Sequence, residues 1–302
     1  MKLGFVTSIL DGWDFDGVLD VASSLGFSCI EVACWPRGKA ERRYAGVSHI
    51  DTEGMTIKEA EEIKRKCREK GITISSLAYY PNALDPAKGK EAVSHLSSVI
   101  DASSLLGVNL VTTFIGRDPS RTIEENLALF EKTWRPIINY AAERKVRIAI
   151  ENCPMLFDRN QWPGGQNLFT SPAIWRKVFS IIPDKNFGIN FDPSHFIWQK
   201  MDYLKPLYEF KERLFHVHFK DIKVSKEKLD DYGILAYPLS YMTPKLPGLG
   251  DVDWGAFVSA LTEVGYDGPA CIEIEDKAFE GSKEKVLDSL RLSKRYMEQF
   301  VI

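Results

Sequence analysis

Carboxylates and imidazoles recur in this chain where a short apolar run comes to its end. The run 146–150 leads into Glu151 in RIAIEN, and the run 187–191 leads into Asp192, with His195 three residues on, in GINFDPSH. FHVHFKD carries His216, His218, Lys220 and Asp221, CIEIED carries Glu273, Glu275 and Asp276, and CIEVAC contains Glu31. A carboxylate in a buried strand is costly unless it is paired or bound to a cation. Side chains alternate across a strand, so His216, His218 and Lys220 share one face, as do Cys271, Glu273 and Glu275. If these faces meet in a common interior, Glu151, Asp192, His218 and Glu273 surround one point. Three carboxylates and one imidazole form an oxygen-rich set for one divalent ion. Mn²⁺ suits it, and Mg²⁺, Co²⁺ and Zn²⁺ are compatible. Parity leaves Glu275 as an alternative to Glu273. Glu273 is preferred because it follows its apolar run directly, as Glu151 does.

Apolar runs at 3–7, 29–32, 72–77, 109–115, 146–150, 187–191, 214–219 and 270–274 alternate with helical patterns. The helices are expected at about 15–25, 56–71, 89–106, 122–144, 172–182, 203–213, 253–264 and 282–300. Thr56 with Glu59 and Thr122 with Glu125 have the spacing of capping boxes, and Pro172 takes a favoured first helical position. Strict alternation calls for right-handed crossovers and a parallel sheet. Eight such units, with TSILDGW in place of a Gly-rich phosphate loop and no Pro/Gly/Ser linker, point to a single (β/α)8 TIM barrel over 1–302. An open doubly wound sheet is the alternative. In a barrel, ionisable residues at strand C-termini converge on one mouth, where catalysis takes place.

Three connections are long, at about 34–55, 153–170 and 221–252. Connections of that length are usually functional or disordered. Their Trp35, Tyr44, Trp162, Tyr237 and Tyr241 suit lids over a pocket. Trp35, His49 and the 221–252 stretch are therefore expected to border it. His95, flanked by Lys and Glu neighbours on a helix, is expected at the surface.

The chain has 302 residues, with 39 Lys and Arg against 42 Asp and Glu, a net charge of -3. That balance argues against a general nucleic-acid binder. With 44% hydrophobic and 27% charged residues, it reads as a packed soluble protein. No stretch reaches the roughly 20 apolar residues of a membrane span. The start MKLGFVTSIL turns polar at Asp11 before a signal-peptide pattern develops, so a cytoplasmic location is expected. Five cysteines without a CxxC argue against a disulfide scaffold or a cysteine-rich zinc site. A homo-oligomer is compatible with all of this.

IAIEN at 148–152, NFDPSH at 190–195, HVHFKD at 216–221, PGLGDVDW at 247–254 and GYDGPACIEIED at 265–276 make the chain resemble the xylose isomerase-like TIM barrels, the sugar phosphate isomerase/epimerase group. The resemblance covers essentially the full length. It implies a divalent metal held by Glu151, Asp192, His218 and Glu273, with the two glutamates flanking the substrate carbon and moving its proton. It also implies that His195 contacts a substrate oxygen. Epimerases of free ketohexoses in this group carry an arginine six residues beyond the metal histidine, where this chain has Val224. Lys220 is the residue expected to take over that contact, and Glu31 and Trp35 join His195 and His49 as expected substrate-binding residues. HVHFKD and PGLGDVDW look more like the branch acting on inositol ketones and keto-glycosides. The expected activity is thus metal-dependent isomerisation or epimerisation of a sugar, keto-glycoside or inosose through an enediolate. Inosose dehydration is the near alternative. An apurinic endonuclease-like phosphodiesterase is a remote one, given five histidines and a negative charge.

Overall fold

A computed structural model describes residues 1–36, 38, 44–156 and 164–301. Its strands are β1 (Lys2–Val6), β2 (Cys29–Ala33), β3 (Thr73–Ala78), β4 (Leu110–Thr113), β5 (Arg147–Glu151), β6 (Phe187–Phe191), β7 (Leu214–Phe219), β8 (Asp221–Val224), β9 (Met242–Lys245) and β10 (Pro269–Ile272). The helices are α1 (Phe15–Ser24), α2 (Ile57–Lys70), α3 (Gly89–Leu106), α4 (Ile123–Glu143), α5 (Pro172–Ile181), α6 (Ser194–Trp198), α7 (Lys205–Glu209), α8 (Lys226–Tyr232), α9 (Trp254–Glu263) and α10 (Lys283–Met297).

Eight strands close into a barrel in the order β1-β10-β7-β6-β5-β4-β3-β2. The neighbouring strands pair in parallel, as crossover helices require. Capping boxes form at Thr56–Glu59 and Thr122–Glu125, starting α2 and α4 where the sequence places them. The helices bury apolar faces against the outside of the barrel, with Trp134, Trp175 and Trp254 fully enclosed. Inside, Leu110, Ala149 and Phe215 form one apolar cluster and Val6, Cys29 and Cys271 another. The interior turns polar toward the strand C-termini, where Asn190 lies in register with His216. Among the described residues no helix is long and apolar enough to cross a membrane.

The 221–252 stretch departs from the expected loop. β8 and β9 form an antiparallel hairpin, and α8 lies between them. Only Lys220 separates β7 from β8, so the two strands merge into one run when read along the chain. Ile222 packs there with Trp198 and Tyr241. The stretch is tied down by Asp221. Its Oδ1 accepts from the backbone N–H of Ile222 at 2.8 Å and Val252 at 3.1 Å. Its Oδ2 accepts from the N–H of Gly248 at 2.9 Å and Gly250 at 3.2 Å, and from Trp254 Nε1 at 2.9 Å. Any Cβ at position 250 would come within 2.1 Å of Asp221 Oδ1, so PGLGDVDW needs glycine there to wrap the carboxylate.

His95 also departs from expectation. It is buried, with Nε2 donating to the Cys34 carbonyl at 2.9 Å and Nδ1 3.0 Å from Glu53 Oε1. The face of α3 that carries it packs against the segment leaving β2, where the ring meets Tyr79 edge to face.

Candidate active site

Glu151 ends β5, Asp192 follows β6 directly, His218 lies in β7 and Glu273 follows β10 directly. One potential ligand atom from each of the four lies within 4.8 Å of the others. Glu275 is not in this group. It extends one layer further out and meets Lys220 Nζ at 2.8 Å. His218 Nδ1 lies 3.2 Å from Glu273 Oε2 and 3.8 Å from Glu151 Oε1. Even so, Asp192 Oδ2, His218 Nδ1 and Glu273 Oε2 are buried without a hydrogen-bond partner. Buried polar atoms are rarely left unsatisfied, and three around one point call for a shared partner. A divalent cation at their centre would satisfy all three, so the residues present fit one.

The ring of His218 is oriented from behind. Nε2 lies 3.1 Å from Glu31 Oε2, while Glu31 also accepts from Tyr80 Oη at 2.7 Å and Ser76 Oγ at 3.1 Å. With Nε2 held against this carboxylate, Nδ1 faces the quartet, the carboxylate–histidine arrangement common behind metal ligands. One layer deeper, His216 Nδ1 is 3.0 Å from Asn190 Oδ1 and Nε2 is 3.1 Å from Ser75 Oγ. Burial, opposed by Glu31, pushes the His216 imidazole down to about 4 and keeps it neutral.

The two glutamates of the quartet are driven apart. Burial works to raise the Glu151 carboxyl, but His195, His218 and Lys220 outweigh it and hold it below the usual carboxylate range. Burial lifts the Glu273 carboxyl above that range, reinforced by Glu151 and opposed by Lys220 and His218. The Lys220 ammonium is buried between Glu275 and Glu273, the latter at 3.5 Å. His195 Nε2 lies 3.1 Å from Asp192 Oδ2 and 3.6 Å from Glu151 Oε1.

A cavity opens over this group. Trp35, Tyr44, Tyr80 and Phe114 give it an apolar wall, and Glu151, Cys153, Lys220, Glu273 and Glu275 line its polar side. The Tyr44 hydroxyl donates to the Ile274 carbonyl at 3.2 Å, so the segment after β2 reaches across to the end of β10.

Three expectations need correction. Glu31 does not line the cavity. It is fully buried beneath it and engaged by His218, Tyr80 and Ser76. His49 does not line it either, because the buried ring is used up in holding the β1 exit. Nδ1 is 3.0 Å from Thr7 Oγ1 and Nε2 is 3.2 Å from the Leu10 carbonyl. The 221–252 stretch packs on α6 instead of bordering the cavity, with Tyr241 buried beneath it. Trp162 lies outside the described residues. Asn190, Tyr80 and Cys153 were not legible as site residues. Asn190 sits inside an apolar-looking strand, and that polar intrusion is the signal that marks it.

A wider groove on the barrel's outside, bounded by Thr52, Met55, Ser98, Leu105 and Arg144, carries the Asp101–Arg144 ion pair, with Tyr140 also donating to Asp101. It brings no reactive set together.

The sequence matches the profile described as "Xylose isomerase-like TIM barrel" over residues 19–296. The chain belongs to this family. A relative of this xylose isomerase-like barrel, "Uncharacterized protein YfiH" of Bacillus subtilis (strain 168), is 24% identical over 301 residues, covering 91% of this chain and 93% of its own. An inosose dehydratase of Lactiplantibacillus plantarum is 30% identical over 120 residues, 39% of each chain. Among solved structures, D-psicose 3-epimerase with D-tagatose from Clostridium cellulolyticum H10 superposes with a TM-score of 0.68 at 14% identity, covering 100% of this chain and 99% of that one. The IOLI protein with a bound zinc atom gives 0.70 at 16% identity, covering 99% of both.

Proposed function

We propose that residues 1–302 act as one domain that binds a single divalent cation, Mn²⁺ by preference, through Glu151, Asp192, His218 and Glu273. On this reading the protein catalyses proton transfer at the carbon beside the carbonyl of a sugar, keto-glycoside or inosose, as an isomerase or epimerase. The observation that carries it is the convergence of those four side chains within 4.8 Å, with three of their buried atoms making no aligned hydrogen bond. When bound, the cation supplies Lewis-acid polarisation of the substrate carbonyl.

The protein's own groups do the rest. Glu151 and Glu273 enter from strands separated by β6 and β7, so they address a flat carbon centre from different sides. On this reading one accepts the proton from that carbon and the other returns it. His195 Nε2 and Lys220 Nζ are donors for substrate oxygens. Trp35 offers an apolar face to the ring.

Inosose dehydration is favoured as a second reading by relatives of that name at 28–31% identity over parts of the chain. Loss of a neighbouring hydroxyl would follow the same deprotonation. Both readings are tested by incubating Mn²⁺-loaded protein in heavy water with a ketose, a 3-keto-glycoside and an inosose. Deuterium beside the carbonyl with substrate mass otherwise retained supports the isomerase. Loss of water supports the dehydratase. Turnover without deuterium would favour a hydride shift and overturn the two-glutamate scheme, as would full activity in both Glu151→Gln and Glu273→Gln.

A further inference from the structure

Beside the quartet lies a second set of donors with softer character. Glu151, Cys153 and His195 each present a ligand atom within 4.8 Å of the others. The His195 side chain is nine-tenths buried, and its Nε2 faces Asp192 Oδ2 at 3.1 Å and Glu151 Oε1 at 3.6 Å without an aligned hydrogen bond to either. Cys153 is half-buried among the residues that line the cavity, and its Sγ accepts from the Met155 N–H at 3.4 Å.

The framework holding these three is rigid. Asn167 donates from Nδ2 to the carbonyls of both Glu151 at 3.0 Å and Cys153 at 2.7 Å, fixing the two residues relative to each other. Asn152 and Asp192 exchange two hydrogen bonds of 2.8 Å, side chain to backbone in each direction, which ties the exit of β5 to the exit of β6. The Ser194 N–H donates to Asp192 Oδ1 at 2.8 Å, starting the short helix that carries His195. A tetrahedral zinc with bonds of about 2.0–2.2 Å to nitrogen and oxygen needs those atoms about 3.3–3.5 Å apart. Glu151 Oε1 and His195 Nε2 stand 3.6 Å apart. A thiolate completes a sulfur–nitrogen–oxygen face, which selects thiophilic ions over Mn²⁺ or Mg²⁺.

We infer that Cys153, His195 and Glu151 form a second cation site, for a thiophilic divalent ion such as Zn²⁺ or Cd²⁺, adjoining the quartet and sharing Glu151 with it. Binding releases the Cys153 thiol proton to solvent and forms a metal–sulfur bond. The site stands on its own geometry. Its consequence for activity rests on the proposed function. An ion there occupies His195 and Glu151, so zinc beyond one equivalent inhibits an enzyme that Mn²⁺ activates.

The test is a Cd²⁺ titration of the full chain, read by the ultraviolet sulfur-to-cadmium charge-transfer band. The expected result is a band that saturates by two equivalents per chain, one for the quartet and one for this site, disappears in Cys153→Ser, and needs at least tenfold more Cd²⁺ in His195→Asn. No band in the wild type, or a band that survives Cys153→Ser, overturns the site. X-ray absorption of the wild type loaded with two equivalents of zinc needs no variant. A sulfur shell at about 2.3 Å is expected, and nitrogen and oxygen neighbours alone refute it. Mn²⁺ binding by Cys153→Ser, followed separately, reports on the quartet alone and distinguishes failure there from failure here.

Discussion

His218 Nε2 lies 3.1 Å from Glu31 Oε2, across the barrel from β7 to β2, and this contact turns the opposite ring nitrogen toward three carboxylates. Replacing Glu31 by Gln keeps the volume but substitutes a neutral acceptor for the carboxylate behind the ring. Affinity for Mn²⁺ is expected to fall about 10–100-fold, with the circular dichroism spectrum unchanged. Chelator competition measures it, and an unchanged Kd would show that the orientation of His218 is set elsewhere.

Asp192→Ala removes a quartet member whose Oδ2 makes no aligned hydrogen bond and faces His195 Nε2 at 3.1 Å. Wild-type protein is expected to gain thermal stability as Mn²⁺ rises, since a ligand bound by the native state alone adds RT ln(1 + [L]/Kd). The variant should fold and show no such rise. A metal-dependent midpoint that persists in it argues against Asp192 as a ligand.

Lys220 is buried at the rim with Glu275 holding its ammonium. Lys220→Met is expected to reduce kcat/KM about 10²–10³-fold, the usual loss for one preorganised donor on a developing charge. Measuring kcat and KM separately on the substrate found by deuterium exchange checks this. Unchanged kcat/KM would remove Lys220 from substrate contact.

His216 gives a pH signature to stability. Its imidazole stands at about 4 in the folded protein, against an ordinary value near 6.5. Between these values the unfolded chain binds the extra proton, so stability falls as pH drops through the window and returns as pH rises. The loss levels off below about pH 4, at about 3 kcal/mol. Urea unfolding from about pH 7 to about pH 4 should show a shallower slope in His216→Gln. Parallel slopes in the two proteins would contradict it.

Asp221→Ala is expected to cost about 3 kcal/mol or more, because five N–H donors lose their acceptor in a buried setting. Denaturant midpoints measure this. A change below about 1 kcal/mol would mean that solvent replaces the carboxylate.

The repeating units were readable because each strand and helix announces itself locally, by an apolar run or by caps such as Thr122–Glu125. Strand parity was enough to bring Glu151, Asp192, His218 and Glu273 to one mouth. What stayed hidden depends on partners distant along the chain. Glu31 meets His218 from a strand that is not its neighbour in the barrel, so its place behind the imidazole follows only from closure. The polar neighbours of His95 suggested a wet helix face, but the ring itself caps the Cys34 carbonyl. His49 looked like a loop residue free to meet substrate, and its bonds to Thr7 and Leu10 become visible only in three dimensions. The β8–β9 hairpin was masked because β8 continues the reading of β7 after a single residue.

The carboxylate of Asp221 adjoins Lys220 in the chain and gathers the far end of the 221–252 stretch into one knot. The segment between thus begins and ends at the same fixed post. Lengthening or replacing residues 225–241 therefore changes the surface layer over α6 while Lys220 keeps its place. The barrel thus carries a segment that can vary in length between two anchors without shifting the lysine beside them.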